Sequence, residues 1–153
     1  LVNVKEVPAD AFINELAKYL KDNVKVVKPP TWALFVKTSP NRERVPDSVD
    51  WWYVRAASIL RKLYVSGEPV GVSTLRNVYG GIKRRGSAPP HFRRSGSSII
   101  RHILHQLETA GLVVKAGKNG RTLSPKGRSL MDSIASEVFK RLVELRPELG
   151  KYG

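Results

Sequence analysis

Asp50-Trp51-Trp52-Tyr53-Val54-Arg55-Ala56-Ala57-Ser58-Ile59-Leu60-Arg61-Lys62-Leu63-Tyr64-Val65, followed by Ser66-Gly67, is the stretch on which the fold turns. No Gly or Pro interrupts it before Gly67, and a glycine there suits the left-handed residue that ends many helices. Asp50 stands where an N-cap belongs, with a side chain able to accept from a free backbone N–H. At a period of 3.6 residues, Trp52, Ala56, Ile59 and Leu63 fall on one stripe. Tyr53, Ala57, Leu60 and Tyr64 widen it, and Val54 and Val65 fall on the far side. A helix apolar over so much of its circumference is covered by neighbours on several sides. Arg55, Arg61 and Lys62 are the exceptions. They are either cations in the gaps between packed neighbours, left to reach a partner, or ordinary solubilising charges.

On the N-terminal side, residues 8–23 read as a helix with Phe12, Ile13, Leu16, Ala17 and Leu20 on its apolar side and Pro8 suited to its first turn. Residues 24–28 read as extended, Pro29-Pro30 breaks them, and a short helix is expected after Thr31. Residues 39–48 form a polar loop. On the C-terminal side, residues 72–79 read as a short helix, and residues 80–96, rich in Gly, Pro and Ser, as a loop. A second long helix is expected over 97–110, with Ile100, Ile103, Leu104 and Leu107 inward, Arg101, His105 and Glu108 outward, and Gly111 as its stop. Residues 112–115 and 121–123 flank Gly117-Lys118-Asn119-Gly120, where Asn-Gly favours a type I′ hairpin turn. Ser124 then caps a last helix with Pro125 at its first position; Met131, Ile134, Ala135, Val138, Leu142 and Leu145 form its stripe.

Helix, short helix, helix, hairpin is the order of a winged helix-turn-helix. The expected fold is therefore mainly α with one small β-hairpin: a winged-helix-like bundle around a central helix, with extra N- and C-terminal helices. One domain over 1–153 accommodates it, with a basic loop insertion at 80–96 and a wing at 112–123. A DNA-reading helix-turn-helix joins its helices by about three or four residues, so the insertion argues against a DNA-binding winged-helix regulator, the alternative function.

Lys plus Arg number 27 against 13 acids, a net charge of +14. Such a balance points to a polyanion, with nucleic acid first. The charge is also uneven: between Glu68 and Glu108 there is no carboxylate. That interval holds Arg76, Lys83, Arg84, Arg85, Arg93, Arg94 and Arg101 and all three histidines. Soluble surfaces mix signs, so the gap marks a docking face. Within it, arginines offer forked contacts to phosphate oxygens, and His91 and Phe92 offer rings on which an unpaired base could stack. A free loop of like charges, Gly and Pro is expected to be mobile and to order on RNA. Lys118 and Arg121 at the wing tip are equally read as groove contacts or as plain surface cations.

Other functions find less support. His102 and His105 have a spacing that can bind a metal, but no Cys or carboxylate lies near them in sequence. They read as a helix-surface or RNA-facing pair, and no metal or cofactor is expected. Trp52 reads as core; Trp51 is left open. Common catalytic and nucleotide-binding motifs are absent, so no enzyme is expected. No apolar run of about 18 residues suggests a membrane span. The lack of cysteine and of a signal-peptide pattern at the first residues suits an intracellular protein.

Residues 50–58, then Tyr79-Gly80-Gly81, Pro90-His91-Phe92-Arg93, Leu107-Glu108 and Leu123-Ser124-Pro125-Lys126-Gly127, together resemble the archaeal and eukaryotic e-type family of small-subunit ribosomal protein number nineteen. The resemblance spans almost the whole chain. It implies a mostly helical, winged-helix-like protein around a central helix that binds ribosomal RNA in the head of the small subunit and is needed for that subunit's maturation. It further implies RNA-facing positions at Arg55, Arg61, the segment from Lys83 to Arg94, and Arg101, with Lys62 beside them. Expected partners are small-subunit rRNA and neighbouring small-subunit proteins, in the cytoplasm on the ribosome, with no membrane and a monomer when free. The absence of a Lys-rich tail after the last helix leans towards an archaeal source.

Overall fold

The computed structural model describes residues 3–35, 50–85, 88–93, 97–117 and 120–145, with residues 34–35, 81–85 and 88–93 as backbone. A 3-10 turn at Val4–Glu6 leads into α1 (Ala9–Asn23) and a second 3-10 turn at Thr31–Phe35. Then come α2 (Trp51–Ser66), α3 (Val72–Val78), β1 (Gly81–Arg85), β2 (Ala88–Arg93), α4 (Ser97–Thr109), β3 (Val113–Lys115), β4 (Arg121–Leu123) and α5 (Pro125–Leu145). The architecture is mainly α and winged-helix-like, as the order of elements predicts. Among the described residues no helix is long and apolar enough to cross a membrane.

The central helix is α2. Trp52, Ala56, Ala57, Ile59, Leu60, Leu63 and Tyr64 are buried, which is the stripe expected from the 3.6 period. They share one core with Phe12, Leu16 and Leu20 of α1, Ile100, Ile103, Leu104 and Leu107 of α4, and Met131, Ile134 and Ala135 of α5. Trp52 is fully buried. Its ring meets Trp32 edge-on at 5.8 Å and Trp51 at 5.5 Å between centroids. Its Nε1 donates to Gln106 Oε1 at 2.9 Å, and Gln106 Nε2 donates to the Lys28 carbonyl at 2.8 Å. One buried indole thus fastens α4 and the segment after α1 to the central helix; residues 24–28, expected to be extended, instead turn, with Val27 N donating to the Val24 carbonyl at 3.2 Å. Cover on α2 is not complete: Val54 and Val65 are 41% and 37% exposed, so one face of the helix is open.

Local signals set two helix ends. α2 ends at Gly67 in the left-handed region, φ 68°. Ser124 caps α5 as expected, its Oγ accepting from Gly127 N at 3.0 Å and donating to the Gly111 carbonyl at 2.6 Å. Asp50 departs from expectation. It is helical (φ −63°, ψ −20°) and makes no side-chain cap bond. Its Oδ1 instead accepts from Lys21 Nζ at 3.1 Å, and that bond holds the Lys21 ammonium above the ordinary lysine range. A long-range pair has taken the carboxylate that a local rule would have used. Leu145, expected on the buried stripe of α5, is 79% exposed.

In the wing, β3 and β4 pair antiparallel, Val113 opposite Leu123 and Lys115 opposite Arg121. Ala116 N donates to Gly120 O at 2.8 Å. Gly120 therefore sits on the strand side of the turn, and the two-residue type I′ turn does not hold. Its glycine has another cause. Val70, between α2 and α3, exchanges both backbone bonds with Arg121 at 2.8 and 2.9 Å. A Cβ on Gly120 would stand 2.4 Å from the Val70 carbonyl oxygen, and its φ is +110°.

Residues 80–96 do not form the structureless loop expected. β1 and β2 pair antiparallel, with Gly81 opposite Arg93, Ile82 opposite Phe92 and Lys83 opposite His91. The register shifts between Lys83 and Arg85, which lies opposite Ala88. The irregularity falls where Pro89-Pro90 has no N–H to give a ladder.

Candidate nucleic-acid interface

The candidate cations fall into three sets. The first is on α2. Arg55 lies with its guanidinium carbon 4.1 Å from the Tyr79 ring centroid, a cation–π contact of about 0.5–2 kcal/mol depending on desolvation. The Tyr79 hydroxyl bonds Ser58 Oγ at 2.6 Å. Burial pushes the Tyr79 phenol above its ordinary value; the Ser58 bond and the Arg55 charge pull the other way. Tyr79 follows α3 and stands two residues before β1. The stack therefore ties the central helix to the base of the basic hairpin. Arg61 is half-buried, and its Nε is a buried donor without a hydrogen-bond partner. Lys62 is exposed.

The second set is the hairpin. Pairing of β1 with β2 sets Lys83 opposite His91 and Arg85 opposite Ala88, with Phe92 and Arg93 opposite Ile82 and Gly81, on strands about 4.8 Å apart. Two basic segments separated in sequence by Pro89-Pro90 become one ribbon. Arg94 lies outside the described residues.

The third set lies on α4 and the wing. Arg101, His102 and His105 are exposed on α4 and line an open concavity with Val72 and Arg121. His102 Nδ1 donates to the Ser98 carbonyl at 2.7 Å, and its ring meets Trp32 edge-on at 5.3 Å. Arg121 is not at the wing tip. It starts β4, and its Nε donates to Glu108 of α4 with both side chains about four-fifths buried. Glu108, expected to face outward, is thereby neutralised. Lys118 lies outside the described residues.

Sequence order alone gave no hint of the Arg55–Tyr79 stack or the Glu108–Arg121 pair. Each joins residues on different elements. Among the described residues, no group of three or more His, Asp or Glu side chains converges on a metal-sized site.

A family model described as ribosomal protein S19e matches residues 3–141 of this chain. A protein of Aeropyrum pernix called small ribosomal subunit protein eS19 is 59% identical over 152 residues, covering 99% of each chain. Its namesake in Thermoplasma acidophilum is 44% identical over the same share of both chains. That of Argopecten irradians is 42% identical over 140 residues, covering 92% of this chain and 96% of its own. The match runs through α2, the basic hairpin, the wing and most of α5, the same segments on which the sequence resemblance rests. The chain belongs to the ribosomal protein S19e family.

Proposed function

We propose that this protein is a non-enzymatic constituent of the small ribosomal subunit, folded as one domain, that binds rRNA through the cationic surface around α2 and so supports subunit assembly and pre-rRNA maturation. It works on the ribosome in the cytoplasm, beside neighbouring small-subunit proteins, and is a monomer when free. The observation that carries this is the acid-free interval. Residues between Glu68 and Glu108 fold into a basic ribbon and carry the exposed cations of α4, and Tyr79 at the base of the ribbon holds the half-buried Arg55.

The contact residues proposed are Arg55, Arg61 and Lys62 on α2; Lys83, Arg84, Arg85, His91, Phe92, Arg93 and Arg94 in and after the hairpin; and Arg101, Lys118 and Arg121. Their roles differ. Exposed cations such as Lys62 and Arg101 suit phosphates directly. Arg121, already engaged by Glu108, contributes an edge of the concavity rather than a free charge. Arg55 is positioned by Tyr79.

Sedimentation separates this function from DNA binding. The protein is expected to travel with small subunits at moderate salt. Retention on duplex DNA with no subunit association would favour the winged-helix regulator instead.

A further inference from the structure

We propose that the groove between α1 and the open face of α2 is a pocket for one unpaired guanine base of RNA, an assignment that rests on the RNA-binding function above. Asp10, Ile13 and Asn14 of α1 form one side; Val54, Arg55 and Ser58 of α2 form the floor, and Tyr79 closes the other side. The groove holds about 460 Å³, within the range of small-ligand sites. Its floor carries Val54, 41% exposed, an apolar surface on which the face of a base can lie.

The rim decides the base. Asp10 is exposed, and a carboxylate repels phosphate. On a chain of net charge +14 it is the wrong sign for a backbone contact and the right one for a donor. An ionised carboxylate only accepts, through two oxygens, and takes paired N–H donors as a fork. Guanine presents such a pair on its Watson–Crick edge, N1–H beside the N2 amino group. Adenine and cytosine set an acceptor beside their donor, and uracil flanks its single donor with two acceptors. Each would set a lone pair against the carboxylate. Asn14, one turn along α1, has an amide N–H₂ that suits guanine O6. Proteins that read unpaired RNA bases use this edge.

The surroundings suit the attached backbone. Residues 54, 58 and 61 share one face of α2 by their i, i+4, i+7 spacing. Arg61 on that face is a half-buried cation whose charge suits an attached phosphate. The basic ribbon leaves the groove two residues after Tyr79. A first-turn carboxylate also favours the α1 dipole, but that role alone gives no base preference, so selectivity is the quantity to measure.

The experiment is fluorescence anisotropy with labelled single-stranded, uridine-rich RNAs differing only at one central base: guanine, inosine, adenine or cytosine. The wild type is expected to bind the guanine RNA about tenfold more tightly than the inosine RNA, which lacks the 2-amino group. Asp10→Asn is expected to bring the two within about twofold while leaving the salt dependence unchanged. If Asp10→Asn melts early, Asn14→Ala carries the test, with loss of preference for guanine over adenine. Equal wild-type binding of all four RNAs, with salt dependence intact, overturns the guanine pocket and leaves RNA binding standing. Absence of salt-dependent binding to these RNAs and to small-subunit rRNA overturns both. Full competition by micromolar free guanosine monophosphate would make the groove a nucleotide site and overturn the assignment to RNA.

Discussion

Arg121 and Glu108 form an ion pair that braces the base of the wing against α4, with side chains 22% and 20% exposed. The same Arg121 exchanges two backbone hydrogen bonds with Val70. The wing is thus held from both sides, and its one engaged arginine is spent on the fold before any partner arrives. Removing one member of such a pair strands the other in a poorly solvated site. Arg121→Ala is expected to cost about 1–3 kcal/mol, and Arg121→Ala with Glu108→Ala less than the sum of the two single changes. Urea denaturation of the four proteins measures this. Additive single effects would mean that the pair carries no coupling.

Trp52 is the largest of the fully buried side chains. Trp52→Ala should destabilise the protein by about 3–5 kcal/mol, the usual cost of emptying a large aromatic site. Trp52→Phe keeps a ring but strands the Gln106 oxygen, at a cost of about 1–3 kcal/mol. A melting curve unchanged in the alanine variant would contradict the burial described.

Gly120 faces the Val70 carbonyl with room for a hydrogen and not for a methyl group. Gly120→Ala is expected to lose about 1–3 kcal/mol and to loosen the Val70–Arg121 bridge. Faster hydrogen exchange at the amides of Val70 and Arg121 reports it. Protection equal to wild type would show that the backbone accommodates a Cβ there.

Tyr79 gives a pH signature. Its phenol is pushed above the ordinary tyrosine value of about 10, chiefly by burial. The folded state therefore holds that proton to higher pH than the unfolded chain does. Its contribution is fully present below about pH 10 and is lost as pH rises from there through the folded value. Tyr64, also raised, moves stability in the same direction. The stability advantage of wild type over Tyr79→Phe should hold constant near neutral pH and shrink above about pH 10. Melts at stepped alkaline pH measure it; a constant difference would show a well-solvated phenol.

Legibility in the sequence followed the range of the interactions. The α2 stripe and its stop at Gly67 depend on period and on one backbone conformation, and both were readable. The Ser124-Pro125 start of α5 was readable for the same reason. Asp50 was misread because Lys21, on another helix, competes for its carboxylate. The basic ribbon was misread as loop because its strands are built of Gly, Lys, Arg and Pro, with Ile82 and Phe92 as the apolar pair in register; no period-two pattern marks it. At the candidate interface, composition located the acid-free interval. The Arg55–Tyr79 stack and the groove beside Asp10 needed three elements brought together, which no local spacing encodes.

The central claim is that the basic ribbon touches phosphates. Each phosphate contact releases condensed counterions, so log affinity falls linearly with log salt, with a slope of about −0.7 per contact on single strands and about −0.9 on duplex. Filter binding of wild type and of a Lys83→Ala, Arg84→Ala, Arg85→Ala triple variant to small-subunit rRNA, at several salt concentrations, measures it directly. The slope is expected to flatten by about two to three units, with the melting temperature little changed. An unchanged slope would contradict the claim and move the RNA face to the wing or to α1.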